Sequence, residues 1–221
     1  MLHSISARLI AAFIALQCWL AIGWTIYDYG TSHGFMTGIV LVFKLYTHIA
    51  TMLMAVTFTA IAVQFRAVGR PAVLAKMVVV AAILLGIFWT FKGGSEIANA
   101  PVRGKIAHAL APLEVILYWI AFGTRYRLKW HHTLLWTIFP LGYTVAVLGY
   151  GKLTGSYVYE FANIDRYGLH RVLGIVGFTI IGSLALGVAM VAATRIIHRF
   201  QEEGRLPLET ARPESQRSAG C

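Results

Sequence analysis

Charged residues are scarce in this chain. Only 13% of its 221 residues are Asp, Glu, Lys or Arg, and the mean hydropathy is +0.69. Soluble domains carry about a quarter charged residues. The shortage excludes an ordinary water-soluble globular domain and favours a protein whose solvent is a lipid bilayer.

Cysteine and long polar connections are also scarce. The two cysteines, Cys18 and Cys221, lie almost at opposite ends of the sequence and do not suggest a disulfide framework. The apolar stretches are joined by short segments, so no window has room for a separate soluble domain. We expect one membrane domain over residues 1–200, followed by a polar, disordered cytoplasmic tail over 201–221.

Apolar residues, in contrast, make up 58% of the chain. A transmembrane helix needs about 20 mostly apolar residues. The sequence therefore predicts an all-α polytopic membrane bundle of six transmembrane helices. The first is expected to be a retained helix, because it is longer than the apolar region of a signal peptide and no small-residue cleavage site follows it. The six stretches lie near 8–28, 39–64, 72–91, 105–123, 132–151 and 170–197.

The basic residues are distributed unevenly. Lys and Arg total 19 against 9 acids, giving a net charge of +10. They concentrate in alternate connections and after the last helix, whereas the loop "YDYGTSHGFM" has none. The positive-inside rule then predicts that both termini are cytoplasmic. We expect an integral protein of a bacterial inner membrane, and no nucleic-acid partner, because the basic excess is explained by topology.

The second apolar stretch contains a polar segment, "KLYTHIAT". Lys44, Thr47, His48 and Thr51 are three or four residues apart, so a continuous helix would put them on one face. Such residues are costly next to lipid, which predicts that this face points into the bundle or a wet cavity. Three plain explanations stay open: threonine bonds to the preceding turn, a lysine snorkelling to the interface, and a histidine bond between helices.

A second polar group opens the fourth stretch, "KIAHALAPLEVILYW". Lys105 lies at its outer mouth and His108 about one turn further in. Imidazole is a suitable proton acceptor near neutral pH, and a threonine hydroxyl needs such a base to become a nucleophile. Thr47 and His108 are therefore a chemically sensible nucleophile and base if their helices touch. Glu114 lies about 240° round the helix from His108, so a different partner is expected for it.

Several short motifs give the chain a family resemblance. "KLYT", "HALAPLEVILYW", "WTIFPLGY" and "GSYVYEFAN" follow one another over roughly residues 40–165. In that order they resemble the androgen-induced/androgen-dependent family of integral membrane proteins, especially its six-helix bacterial relatives. The sequence departs from the family pattern at Glu160, where Pro is usual, and at Asn163, where an acid is usual. A second His that precedes the catalytic one in animal members is replaced by the stretch "RGKIA".

The resemblance implies a reaction. Characterised animal members are threonine hydrolases that cleave fatty acid esters of hydroxy fatty acids, and the matching positions here are Thr47 and His108. It thus implies a lipid-ester hydrolase acting on a membrane lipid, with no metal or other cofactor. Substrate contacts are expected from the neighbouring polar residues Lys44, His48, Thr51 and Lys105.

Two other classes of function are compatible with the same residues. A b-type haem protein would use histidines from facing helices, such as His48 and His108. A non-catalytic lipid-binding or structural membrane protein would use the polar segment only to satisfy buried groups.

Overall fold

A computed structural model describes residues 4–65, 70–91 and 99–203, apart from the side chains of residues 87, 88, 91 and 201–203. Within these ranges the chain is all helical and has no strand. The elements in chain order are α1 (Ile5–His33), α2 (Phe35–Lys44), α3 (Tyr46–Ala62), α4 (Pro71–Phe91), α5 (Val102–Gly123), α6 (His131–Thr154), a 3-10 turn (Glu160–Ala162), α7 (Ile164–Tyr167) and α8 (Leu169–Glu203).

Several helices are long and apolar enough to cross a membrane. Four described helices, α1, α5, α6 and α8, meet that condition by length and composition, and the bent pair α2–α3 makes a fifth if it counts as one span. The predicted span at 72–91 coincides with α4, which forms a shorter apolar helix over Pro71–Gly86. The all-helical class is confirmed, while six spans remain a prediction.

The predicted tail falls mostly outside the described residues. The last helix, expected to end near residue 197, extends to Glu203. Residues 204–221 lie outside the described ranges, and the prediction of a disordered tail lies there with them.

Small side chains allow α1 and α3 to pack closely. The buried face of α1 repeats every three or four residues, as one face of a helix does, and alanines dominate it, as is common where membrane helices meet. The opposite face of α1 exposes large apolar side chains, including Phe13 at 59% and Leu16 at 58%. An outer surface of this kind suits hydrocarbon rather than water. The closely packed side chains are Ala7, Ala11, Ala15 and Cys18 of α1 and Ala50, Met54 and Phe58 of α3.

The turn from α1 into α2 brings two backbones together. At Gly34 the chain has a φ of 92°, in the region that favours glycine. A Cβ added at Gly38 would lie 2.6 Å from the carbonyl oxygen of Ile26. Only glycine fits there without a shift of backbone, so α2 is held against the end of α1.

The contacts define two ends of the bundle. The proximal end contains the start of α1, and the distal end contains the end of α1. Arg8 Nε donates to the Ala62 carbonyl at 2.9 Å, and the Tyr118 hydroxyl donates to the Ala7 carbonyl at 3.2 Å, which puts the ends of α3 and α5 at the proximal end. At the distal end, an ion pair of 2.6 Å joins Asp28 of α1 to Arg103 of α5.

Candidate active site

The predicted second helix is broken. α2 ends at Lys44, α3 begins at Tyr46, and the two helices are bent by 86°. The break is at Leu45, whose backbone is extended with φ −96° and ψ 132°. The prediction of one continuous helix over 39–64 is wrong at this point. Lys44 therefore does not share a helical face with Thr47.

Two tyrosines from distant parts of the chain hold this bend. A helix break leaves backbone N–H and C=O groups without intrahelical partners. The Tyr46 N–H donates to the Tyr159 hydroxyl at 2.8 Å, and the Tyr143 hydroxyl donates to the Lys44 carbonyl at 2.9 Å. The two tyrosine hydroxyls lie 3.1 Å apart. The bend is thus stabilised by tertiary hydrogen bonds and not by a local Gly or Pro.

The bend changes what the Thr47 hydroxyl can reach. Further along α3, Thr51 donates to the Thr47 carbonyl at 2.8 Å and Thr59 donates to the Ala55 carbonyl at 2.7 Å. For Thr47 the carbonyl four residues earlier belongs to Phe43, beyond the break. Within the described part of the chain no hydrogen bond ties the half-buried Thr47 hydroxyl. The plain explanation of a threonine bonded to the preceding turn holds for Thr51 but not for Thr47.

His108 lies in a widened helical turn. Residues Ile106–Leu110 form a π-helical turn, closed by the bond from the Ala111 N–H to the Ile106 carbonyl. Pro112 follows four residues after His108, and in a regular α-helix its ring would collide with the His108 carbonyl. The wider turn relieves that conflict, and such single turns occur frequently at functional sites. The His108 side chain is half-buried.

Thr47 and His108 line the same cavity. It has a volume of about 600 Å³ and lies between α3, α4, α5, α6, α8 and the segment 155–168. Most of its wall is aliphatic, with Ile83, Leu84 and Val147 among the lining residues. The two predicted catalytic residues thus reach one space from different helices. The other polar side chains in the lining are Tyr46, Tyr143, Thr144, Tyr159, Glu160, Tyr167, Arg171 and Thr179.

Two other threonines of the lining differ from Thr47 in their bonding. Thr144 donates to the Pro140 carbonyl at 2.8 Å, and Thr179 donates to the Ile175 carbonyl at 2.9 Å. Both hydroxyls are therefore committed to the preceding turn of their own helices. They provide matched comparisons for Thr47 inside the same cavity.

The four predicted substrate contacts lie outside the cavity lining. The Lys44 ammonium lies 5.0 Å from the centroid of the Tyr150 ring, on the far side of the bend. Thr51 is buried, with its hydroxyl on the Thr47 carbonyl. His48 is half-buried in the first turn of α3, and Lys105 is exposed near the start of α5. The structure brings the predicted catalytic pair to the cavity but not these four residues.

Among the described residues that line the cavity, Arg171 is the one with a permanently charged cationic side chain. Its guanidinium lies 5.1 Å from the centroid of the Tyr167 ring. The lining also contains Glu160, whose carboxylate is paired with the Arg166 guanidinium. The sequence places Arg171 at the outer start of the last helix, but it does not indicate that the preceding segment folds over the Thr47 cavity.

The segment 155–168 is fastened to the end of α6. Lys152 Nζ lies 2.8 Å from Asp165 Oδ1, and the Tyr157 hydroxyl donates to Asp165 Oδ2 at 3.1 Å. The hydrogen bonds from Lys152 and Tyr157 hold the pKa of Asp165 below its usual value. A Cβ on Gly151 would collide with the Tyr157 ring, so the ring packs directly on this glycine. The position of the segment that bears Tyr159 therefore depends on the Lys152–Asp165–Tyr157 cluster and on the packing of Tyr157 against Gly151.

Two polar residues left open by the sequence have partners on α1. Glu114 accepts a hydrogen bond from the amide of Gln17, a buried residue of α1. Arg103, near the start of α5, is paired with Asp28. Neither contact involves the Thr47 cavity, which agrees with the expectation that Glu114 does not orient His108.

The described residues contain no group of three or more His, Cys, Asp or Glu side chains suited to hold a metal ion. The two histidines considered as haem ligands have different surroundings, because His108 lines the cavity and His48 does not.

Comparison with known proteins gives no further guidance to the site. No protein-family model, curated protein or solved structure matches the chain.

Proposed function

We propose that the protein is an intramembrane lipid-ester hydrolase, with Thr47 as the nucleophile and His108 as the general base. The observation that carries this proposal is their common position in one largely aliphatic cavity, in which the Thr47 hydroxyl is not committed to its own helix. A threonine released from the usual bond to the preceding turn can turn toward a base. A half-buried imidazole on an adjoining helix supplies that base.

The reaction is an acyl transfer through the hydroxyl of Thr47. His108 removes the proton from Thr47 Oγ1 as this oxygen attacks the ester carbonyl carbon. The tetrahedral intermediate collapses, and the departing alkoxide takes the proton from His108. A water molecule, activated by the same imidazole, then attacks the acyl-threonine ester and releases the fatty acid, which restores both residues.

Two groups beside Thr47 are suited to stabilise the oxyanion. Thr47 lies in the first turn of α3, where N–H groups lack intrahelical acceptors, and its N–H has no backbone acceptor in the described part of the chain. The Tyr159 hydroxyl accepts the Tyr46 N–H, and its proton points to the Tyr143 oxygen 3.1 Å away, from which it turns to the oxyanion when substrate binds. Burial raises the pKa of Tyr159, which keeps that proton in place at neutral pH. Such donors are worth most in a water-poor site.

The cavity suits a long, mostly apolar substrate with one anionic end. Its volume of about 600 Å³ lies within the range of small-molecule sites. Arg171, at the lining and beside Tyr167, is positioned to hold a carboxylate. Fatty acid esters of hydroxy fatty acids combine a carboxylate, an internal ester and two aliphatic chains. This class therefore agrees with the resemblance and with the chemistry of the lining.

The proposal includes a membrane orientation. Counting the α2–α3 pair and α4 as one span each gives six spans, with the cavity in the distal half. The basic connection 124–130 and the arginines near the end of α8 then lie on the cytoplasmic side, as do both termini. Substrate would reach the cavity from the outer leaflet of a bacterial inner membrane.

Turnover by purified variants tests the proposal. Full-length protein in detergent would be assayed with a fatty acid ester of a hydroxy fatty acid. We expect Thr47→Ala to reduce hydrolysis to background and His108→Ala to reduce it about 10²- to 10⁴-fold. Thr144→Ala, which removes a committed hydroxyl from the same cavity, should retain most of the activity.

Two results of this assay would contradict the proposal. Unchanged hydrolysis by the Thr47→Ala protein would remove Thr47 as the nucleophile. Binding of the ester by the wild-type protein without any turnover would instead favour a non-catalytic lipid-binding protein.

A further inference from the structure

A second, smaller concavity lies at the proximal end, opposite the Thr47 cavity. It has a volume of about 110 Å³, and its lining consists of Arg127 from the connection after α5 with Arg195, His198 and Arg199 of α8. Its described lining contains no acidic residue. A pocket formed by four side chains of basic type is unusual, because like charges repel one another unless an anion separates them.

Two nitrogen atoms in this pocket lack protein partners. Arg195 Nε and His198 Nε2 are buried, and neither has a hydrogen-bond partner among the described residues. None of the ion pairs among the described residues involves Arg127, Arg195 or Arg199. Buried polar groups in folded proteins are nearly always satisfied. A ligand that satisfied these nitrogens as donors would accept hydrogen bonds and carry negative charge.

The surroundings of the pocket indicate where that anion belongs. A larger groove of about 690 Å³ adjoins it and shares Arg127 and Arg195 with it. The exposed surface of the groove is mainly apolar, and its lining is completed by Leu128, Lys129, Trp130 and His131. The Arg195 guanidinium lies 5.0 Å from the centroid of the Trp130 ring. A basic pocket next to an apolar groove and an interfacial tryptophan matches a phospholipid better than a free anion.

We propose that this proximal pocket binds the phosphate of an anionic phospholipid. The phosphate oxygens accept hydrogen bonds from Arg195 Nε and, when its Nε2 is protonated, from His198, while Arg127 and Arg199 contribute charge. The glycerol backbone and the start of an acyl chain lie along the groove beside Trp130. Arginine forks suit phosphate oxygens, which carry two or more acceptors close together. This site is separate from the Thr47 cavity and does not depend on the proposed hydrolase activity.

Binding of defined lipids to the full-length protein tests the proposal. Native mass spectrometry in detergent would compare short-chain phosphatidylglycerol, phosphatidylcholine with the same chains, and inorganic phosphate. We expect phosphatidylglycerol to bind at least about tenfold more tightly than phosphatidylcholine. Arg199→Gln should weaken phosphatidylglycerol roughly fivefold, and Arg195→Gln with Arg199→Gln more than about tenfold.

The matched control is Arg125→Gln, in the same connection as Arg127 but outside the pocket lining. It changes net charge by the same amount as Arg199→Gln and should leave the lipid preference unaltered. Arg199 is exposed near the end of α8, so the Arg199→Gln protein should fold and can be measured even if the double variant does not fold.

Three outcomes would overturn the proposal. Equal binding of the two phospholipids would exclude recognition of headgroup charge. An equal effect of Arg125→Gln and Arg199→Gln would mean that general electrostatic attraction, and not this pocket, accounts for the binding. Inorganic phosphate that displaces phosphatidylglycerol at equal concentration would assign the pocket to a free anion.

Discussion

At the scale of single residues, Thr47 and His108 could be proposed from the sequence as a catalytic pair, and both line one cavity in the structure. Each lies in a polar segment inside an apolar stretch, and a hydroxyl with an imidazole suits a nucleophile and its base. The charged residue of the cavity lining could not be predicted in the same way. Lys44 and Lys105 are close in sequence to the pair, but neither lines the cavity, whereas Arg171 does. Proximity along the chain was a poor guide to proximity across helices.

Asp165 offers a prediction at this scale. Its pKa is lowered by hydrogen bonds from Lys152 and Tyr157, so its ionised form contributes stability at neutral pH. That contribution should be lost as the pH falls below the ordinary carboxyl range, because protonation removes the bond to Lys152. Protection factors over residues 155–168, which are hydrogen-exchange rates corrected for the pH dependence of intrinsic exchange, should therefore be lower at pH 3 than at pH 6.

Asp165→Asn provides the matched comparison, since it removes the charge and keeps the size. The variant should show low protection factors in this segment at both pH values. Identical exchange in the variant and the wild type at pH 6 would mean that the Lys152 and Tyr157 contacts do not fasten the segment.

At the scale of elements, the apolar pattern identified the helices but not the break in the second one. Nothing local marks Leu45, because neither Gly nor Pro is near it. The bend is held by Tyr143 and Tyr159, which are about a hundred residues away in sequence. The π turn at His108 had a weak local signal, Pro112 at the fourth position after it. Both departures from regular helix occur next to the proposed catalytic residues.

Tyr143→Phe tests whether the tyrosines hold the bend. Removing the hydroxyl leaves the Lys44 carbonyl without its donor in a half-buried place, which should lower the free energy of unfolding by about 1–3 kcal/mol. Thermal unfolding in detergent would measure the change. Tyr167→Phe is the control, because this tyrosine also lines the cavity but no described hydrogen bond uses its hydroxyl. Equal stability of the two variants would mean that the bend is held by packing alone.

At the scale of the whole molecule, composition identified an all-helical, apolar bundle, while the number of spans and their orientation remain predictions. The described contacts put Lys129 in the proximal connection and Ser156 in the distal one. If the protein is oriented with both termini in the cytoplasm, these two positions are on opposite sides of the membrane.

Cysteine labelling in intact bacteria tests that orientation. In a background that carries Cys221→Ser, a membrane-impermeant maleimide should modify Ser156→Cys from outside. It should modify Lys129→Cys only after the cells are permeabilised. The buried Cys18 should not react in either case. Labelling of Lys129→Cys in intact cells would reverse the orientation, and the cavity would then open toward the cytoplasm.

The most direct test of the central claim is to locate the covalent adduct of a fluorophosphonate hydrolase probe. Purified wild-type protein would be labelled, digested and sequenced by tandem mass spectrometry, with Thr144→Ala and His108→Ala proteins in parallel. We predict an adduct on Thr47 in the wild type and in Thr144→Ala, and a much slower reaction in His108→Ala. An adduct on any other residue, or labelling that persists in Thr47→Ala, would contradict the assignment of Thr47 as the nucleophile.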